Sequence, residues 1–329
     1  MEQIIHYAKK TFLALKDPYH TVITVKPGII DRAASFLENQ GEVWYTGIKN
    51  TDAIPAELKE RLEESGFLIH TTDQMALGGR AIDLQLINPI TGNWMTGSSS
   101  GTALNVFYGI NDAGIGTDGG GSVLAPAAAL NLYGFISPMI EQEKMIRYHR
   151  ISTDGIGFQP AIGAITRDLD TMGKLLNPLF GYDITKLQPQ KDAYTIIETE
   201  KCHNLPDIYG SREPLIEYLK SEVKSSTVVI STEGPVDVNA PGDSIYGHFD
   251  EETAKHQSRS GKGLMRVVNM SGKSALTVPA KGLGRCTVLI CESRPEDIAY
   301  MFQLARAYQN QPSQLVQRYF MNFDMYFHQ

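Results

Sequence analysis

The chain has 329 residues, 42% hydrophobic and 20% charged, a balance that fits a folded globular protein and excludes a disordered one. Its net charge is −7, and Lys and Arg are scattered without a basic stripe, which argues against nucleic acid or an anionic membrane as partner. Cys202, Cys286 and Cys291 form no CxxC pair and no zinc-like spacing, so they read as reduced thiols in a cytoplasmic protein with no metal site.

The start, MEQIIHYAKK, lacks the apolar stretch and small-residue cleavage site of a signal peptide. Thr21 to Lys26 (TVITVK) is short and β-branched, a strand. Ile54, Leu58 and Leu62 recur at helical spacing, and Gly66 stops that helix before the strand-like Phe67-Leu68-Ile69. Ala103, Val106, Phe107 and Ile110 mark a second helix. Ser122 to Ile140 is apolar, but Pro126, Asn131 and Pro138 interrupt it, so it reads as a buried helix with its exit and not as a membrane span. Leu169, Met172 and Leu176 mark another helix, Val228 to Ile230 and Thr287 to Ile290 two buried strands. Pro295, Glu296 and Asp297 open a helix with acidic residues in its first turn. Asn239 to Gly263, rich in Gly, Ser, His and charge, reads as a surface excursion. Strands alternating with amphipathic helices predict an α/β architecture, and the absence of repeats or linkers predicts one domain over 1–329.

Two clusters carry the chemistry, Gly97-Ser98-Ser99-Ser100-Gly101 and Gly116-Thr117-Asp118-Gly119-Gly120-Gly121-Ser122. Glycines in such a run let successive N–H groups converge into an anion nest. A serine at the end of the nest, entering an apolar helix, is placed as acyl transfer requires, with its oxygen beside donors aimed at the oxyanion. The second cluster is no P-loop, because the Lys and Ser/Thr of that motif do not follow it. A nucleophilic serine also needs a base. None of the eight histidines lies beside these clusters, and a lysine serves if burial disfavours its charged form.

The clusters resemble the amidase signature, whose core reads GGSSGGS, then an Ala-rich helix, then G(S/T)DTGGSIR. Ser98 matches the bridging serine and Ser122 the nucleophile, with the usual separation of 24 positions. The family's lysine ends an early strand in (A/V)VKDN, and Val22 to Lys26 fits that place, 72 positions before Ser98. Glu60 to Met75, Asn88 to Trp94, Gly163 to Leu176, Ala275 to Ala280 and Val288 to Tyr308 resemble further family segments. The likeness implies a twisted mixed β-sheet covered by helices on both faces. It implies a Ser122, Ser98 and Lys26 catalytic set, an oxyanion hole at Gly119, Gly120 and Gly121, and Ser99, Thr117 and Asp118 as bracing residues. It also implies a cis peptide before Ser98. The expected activity is hydrolysis of a small-molecule amide through an acyl-enzyme, without metal or cofactor; a homo-oligomer is compatible with it.

The sequence departs from the pattern at three places. Pro27-Gly28 follows Lys26 where the family has Asp-Asn, Gly119 replaces a larger residue, and Leu124 stands where many members carry an arginine for acid-bearing substrates. The last departure counts against a small dicarboxylate half-amide. The segments before Lys26 and between Ile197 and Ser226 are also shorter than usual. Two other roles fit the same resemblance: an amidotransferase A-type subunit releasing ammonia from glutamine for a partner, and a degenerate member acting as a binding or scaffold protein.

Overall fold

The computed structural model describes residues 2–238 and 250–327. In chain order its strands are β1 (Val22–Val25), β2 (Trp44–Lys49), β3 (Phe67–Asp73), β4 (Ile82–Ile87), β5 (Trp94–Thr96), β6 (Ala113–Asp118) and β7 (Tyr133–Ser137). They continue with β8 (Arg150–Ile151), β9 (Gly157–Phe158), β10 (Ala161–Thr166), β11 (Thr195–Glu198), β12 (Thr227–Glu233), β13 (Ser274–Pro279) and β14 (Cys286–Cys291). Ten of them form one sheet in the order β1-β3-β2-β6-β10-β7-β13-β14-β12-β11, while β4 pairs with β5 and β8 with β9. β2 runs parallel to both β3 and β6, and β11 parallel to β12; the other neighbours are antiparallel. The sheet is therefore mixed, as expected.

Side chains alternate across a strand, so a sheet buried on both faces feeds two cores. Phe135, Leu276, Leu289 and Val228 enter one core, with the helices Ala56–Glu64, Leu169–Phe180 and Pro295–Ala305. Their neighbours Ile136, Ala275, Val288 and Val229 enter the other, with Ser100–Phe107, Leu124–Ala129 and Arg212–Glu222. Helices thus cover both faces. Because each face is buried, a one-residue slip would exchange the two cores, which fixes the register.

Most predicted elements form near their expected places. Asp168 caps the helix Leu169–Phe180 by accepting the Thr171 N–H, and Gly66 leaves the preceding helix at φ +85°. Two expectations change. Ser122 to Ile140 splits into a short helix, Leu124–Ala129, and strand β7, because left-handed Asn131 (φ 52°) turns the chain back into the sheet. Within Asn239 to Gly263, residues 239–249 lie outside the described residues, and Glu251–Ser258 is a helix with no buried residue. Ser260 to Gly263 are buried, so the excursion ends inside the protein. No described helix is long and apolar enough to cross a membrane.

Candidate active site

The site lies where the parallel neighbours β2 and β6 end, since open sheets leave a crevice outside the carboxyl ends of their strands. Lys49 is the last residue of β2 and Asp118 the last of β6. A register shift between β2 and β3 at Thr46/Gly47 leaves His70 without a partner on β2 and brings Lys49 opposite Asp73. Gly47 allows this close approach: a Cβ there would lie 2.1 Å from the Asp73 carboxylate.

Lys49 is 3% exposed. Its Nζ lies 2.7 Å from Ser98 Oγ, 3.0 Å from Thr117 Oγ1 and 3.2 Å from the Thr117 carbonyl oxygen. Burial drives its pKa down from the ordinary lysine value to about 7; the Asp118 carboxylate opposes that shift, and the Arg150 cation adds to it. Lys26, by contrast, is exposed just past β1, the edge strand of the sheet, and its backbone N–H pairs with the His70 carbonyl. The lysine beside Ser98 is therefore Lys49, and the expectation for Lys26 is corrected. A strand at the sheet edge keeps its terminal side chain in water, whereas β2, flanked by β3 and β6, buries its own. Ile48-Lys49-Asn50 also offers an apolar residue before a lysine, but Val25-Lys26 matches the (A/V)VKDN pattern at its Val and Lys, so the motif alone did not separate the two lysines.

Ser98 sits in a loop tied on both sides. Gly97 donates to the Ala81 carbonyl at 2.6 Å, and the Ser98 carbonyl accepts from Ala76 at 3.2 Å. Gly97 is left-handed (φ 79°) and packs under Pro126, leaving no room for a side chain. The cis peptide expected before Ser98 is absent; the cis bond among the described residues is Gly234–Pro235.

The second cluster wraps around Asp118. This fully buried carboxylate accepts N–H groups from Gly121 at 2.7 Å, Val123 at 2.6 Å and Leu124 at 3.2 Å. The turn it closes presents half-buried Ser122 at the start of the helix Leu124–Ala129. Gly119, Gly120 and Ser122 line the same cleft as Lys49, Ser98 and Thr117, a space of about 410 Å³. Gly121 does not line it, and its N–H is already given to Asp118. Of the expected nest glycines, Gly119 and Gly120 therefore face the cleft and Gly121 is structural. Asn269 donates to the Gly119 carbonyl at 3.3 Å and to the Gln159 carbonyl at 2.8 Å. Since a trans peptide sets C=O and N–H in opposite directions, this anchor also aims the Gly120 N–H. No local motif marks Asn269. Of the bracing residues, Thr117 holds Lys49 and Asp118 holds the turn. Ser99 links the two loops by its backbone, donating to the Ser122 carbonyl at 3.2 Å, while its buried hydroxyl finds no partner among the described residues.

A mixed sheet covered on both faces, with a buried lysine on the serine of a Gly-Ser loop and a Gly-rich turn ending in a second serine, is the arrangement that the resemblance to the amidase signature implies. Residues 48–204 match the family model described as Amidase. The match begins one residue before Lys49. Among curated proteins the chain is 29% identical to the A-type subunit of the glutamyl-tRNA(Gln) amidotransferase of Methanospirillum hungatei over 157 residues, 46% of this chain and 31% of that protein. It is 36% identical to the "Indoleacetamide hydrolase" of Allorhizobium ampelinum over 95 residues, 27% of this chain and 21% of that protein. The chain thus matches about a third or less of the length of these relatives. Among solved structures, a bacterial aryl acylamidase of the amidase signature family superposes with a TM-score of 0.59 at 14% identity, covering 94% of this chain and 96% of that one, a likeness of fold.

Proposed function

We propose that the chain is a serine amidohydrolase in which Ser122 is the nucleophile, Ser98 the proton bridge and Lys49 the base. The observation that carries this reading is the contact of the buried Lys49 amine with Ser98 Oγ at 2.7 Å. A neutral amine has two protons and one lone pair. Lys49 gives its protons to the two oxygens of Thr117, which leaves the lone pair for the Ser98 hydroxyl. Ser98 then takes the proton of Ser122 as Ser122 Oγ attacks the amide carbonyl. Ser122 Oγ holds no hydrogen bond to the described residues, and the Ser98–Ser122 link closes when substrate fills the cleft. The N–H groups of Gly119, Gly120 and Ser122 receive the developing oxyanion. The proton returns through Ser98 to the leaving amine, and water cleaves the acyl-enzyme by the same route reversed.

The test is covalent labelling with a fluorophosphonate probe, read by peptide mapping, beside hydrolysis of simple amides. Wild type should be labelled at Ser122, and Ser122→Ala should lose both labelling and turnover. Labelling elsewhere in that variant would refute the assignment. Likeness to amidotransferase subunits supports a second reading, in which the same site releases ammonia from glutamine. Glutamine hydrolysis that outruns hydrolysis of other amides would favour it.

A further inference from the structure

The cleft beside Ser122 has an electrostatic character that amide hydrolysis does not require. The chain carries a net charge of −7, yet among the described residues no Asp or Glu lines this cleft, while Arg80, Arg150, Arg212, Lys262 and Arg266 do. Arg212 is already neutralised by a two-pronged pair with Asp154. Lys262 donates to Thr96 at 3.1 Å, and Arg266 donates to the carbonyls of Ile208 and Gly210, each at 2.9 Å. Arg80 and Arg150 differ: both are exposed, and among the described residues neither has a carboxylate partner.

Both are positioned by the catalytic loops themselves. Arg80 precedes Ala81, whose carbonyl holds Gly97, the neighbour of Ser98. Arg150 lies on β8 opposite Phe158 of β9, and that ring packs on Gly119 of the nest. The Arg150 guanidinium reaches over Gly79, 3.9 Å from where a Cβ would stand, beside Arg80. Two exposed arginines from separate loops thus line one cleft, and Gly78 and Gly79 line it without side chains.

Resting on the amidohydrolase reading above, we propose that Arg80 and Arg150 form an anion subsite, and that the substrate is an amide bearing a carboxylate. Guanidinium groups bind carboxylates through paired, charge-assisted hydrogen bonds, and a cleft lined by no acidic residue among the described ones leaves them available. The arginine missing at Leu124 is thereby supplied from other loops. A dicarboxylate half-amide, disfavoured by Leu124 alone, returns as a candidate.

The test uses two isosteric pairs. For an acid on the acyl side, succinic mono-p-nitroanilide is compared with 4-oxopentanoyl p-nitroanilide. For an acid on the amine side, 4-acetamidobenzoate is compared with 4-acetamidoacetophenone. Dissociation constants are measured by calorimetry on Ser122→Ala, so that binding is read without turnover. In one pair the carboxylate should bind ~10-fold tighter, an advantage that weakens with added salt. Arg80→Gln with Arg150→Gln in the same background should bring the ratio close to one. Lys174→Gln, a charge beside Trp44 at the far end of β2, should leave the ratio unchanged. Neutral and anionic members binding within about twofold of each other in both pairs would overturn the proposal. Failure of the amidohydrolase reading looks different: wild type then turns over no member and is not labelled at Ser122, while the binding preference persists.

Discussion

Replacing Lys49 by Met removes the amine while keeping the buried volume filled, so it isolates the chemistry from packing. Its pKa of about 7 makes about nine-tenths of Lys49 neutral at pH 8, whereas a lysine at ~10.5 would be roughly 0.3% neutral. The protonated amine has no lone pair for Ser98, so kcat/KM should fall tenfold per unit as pH drops below about 7 and level off above it. Loss of a positioned base costs about 10²- to 10⁴-fold in rate. Lys49→Met should show that loss at pH 8, and its residual activity should lack the ionisation near 7. Lys26→Ala, which alters an exposed residue past an edge strand, should keep the wild-type rate and profile. The assay is kcat/KM from pH 5 to 9 on one anilide, with circular dichroism to verify folding. An ionisation near 7 that survives in Lys49→Met, or vanishes in Lys26→Ala, would refute the reasoning.

Three further outcomes follow from the geometry. Ser98→Ala should fold normally and lose ~10²-fold or more in kcat, because the lysine can no longer reach Ser122 through a hydroxyl. Gly119→Ala would put a methyl 2.2 Å from the Phe158 ring and should lower kcat by displacing the nest. Phe158→Ala in the same chain should restore part of the loss, and a double-mutant cycle on kcat with no coupling would sink this account. Asp118→Asn should lower kcat ~10-fold or more, since one amide oxygen cannot replace a carboxylate that accepts three N–H groups. It should also move the acid limb to lower pH, because the Asp118 charge favours the Lys49 proton.

How much of this was legible in the sequence depended on whether a signal was local. The two Gly-Ser clusters are local, and their separation of 24 positions led to Ser98, Ser122 and the Asp118 turn. The helices with clear spacing, such as Leu169–Phe180, were legible for the same reason. β2 was not. Its sequence Trp-Tyr-Thr-Gly-Ile-Lys is buried almost throughout, so it lacks the alternation that marks a half-buried strand. TVITVK has the better strand composition, but it occupies the sheet edge, where a terminal lysine stays in water. Which of two strand-end lysines becomes buried is decided by strand order, and strand order is a property of the whole chain. Asn269 was hidden likewise, because its contact with Gly119 spans 150 positions.

The arginine that would bind the substrate also acts on the base, and this ties specificity to protonation. In the free protein the Arg150 cation lowers the Lys49 pKa. A carboxylate bound against Arg150 would cancel that repulsion and bring a negative charge toward the amine, so the Lys49 pKa should rise in the complex. Exposed pairs of this kind contribute up to ~1 kcal/mol, which corresponds to a rise of somewhat under one pH unit. The acid limb of kcat/KM reports the free enzyme, and that of kcat reports the complex. For a carboxylate-bearing amide the kcat limb should therefore lie at higher pH than the kcat/KM limb. For its neutral isostere the two limbs should nearly coincide, and Arg150→Gln should abolish the separation for both. Above pH 8 the base stays mostly neutral in either state, so anion binding then costs little in rate. Equal separations for both substrates in wild type would show that Arg150 does not sense a bound anion, and that its effect on Lys49 is independent of substrate.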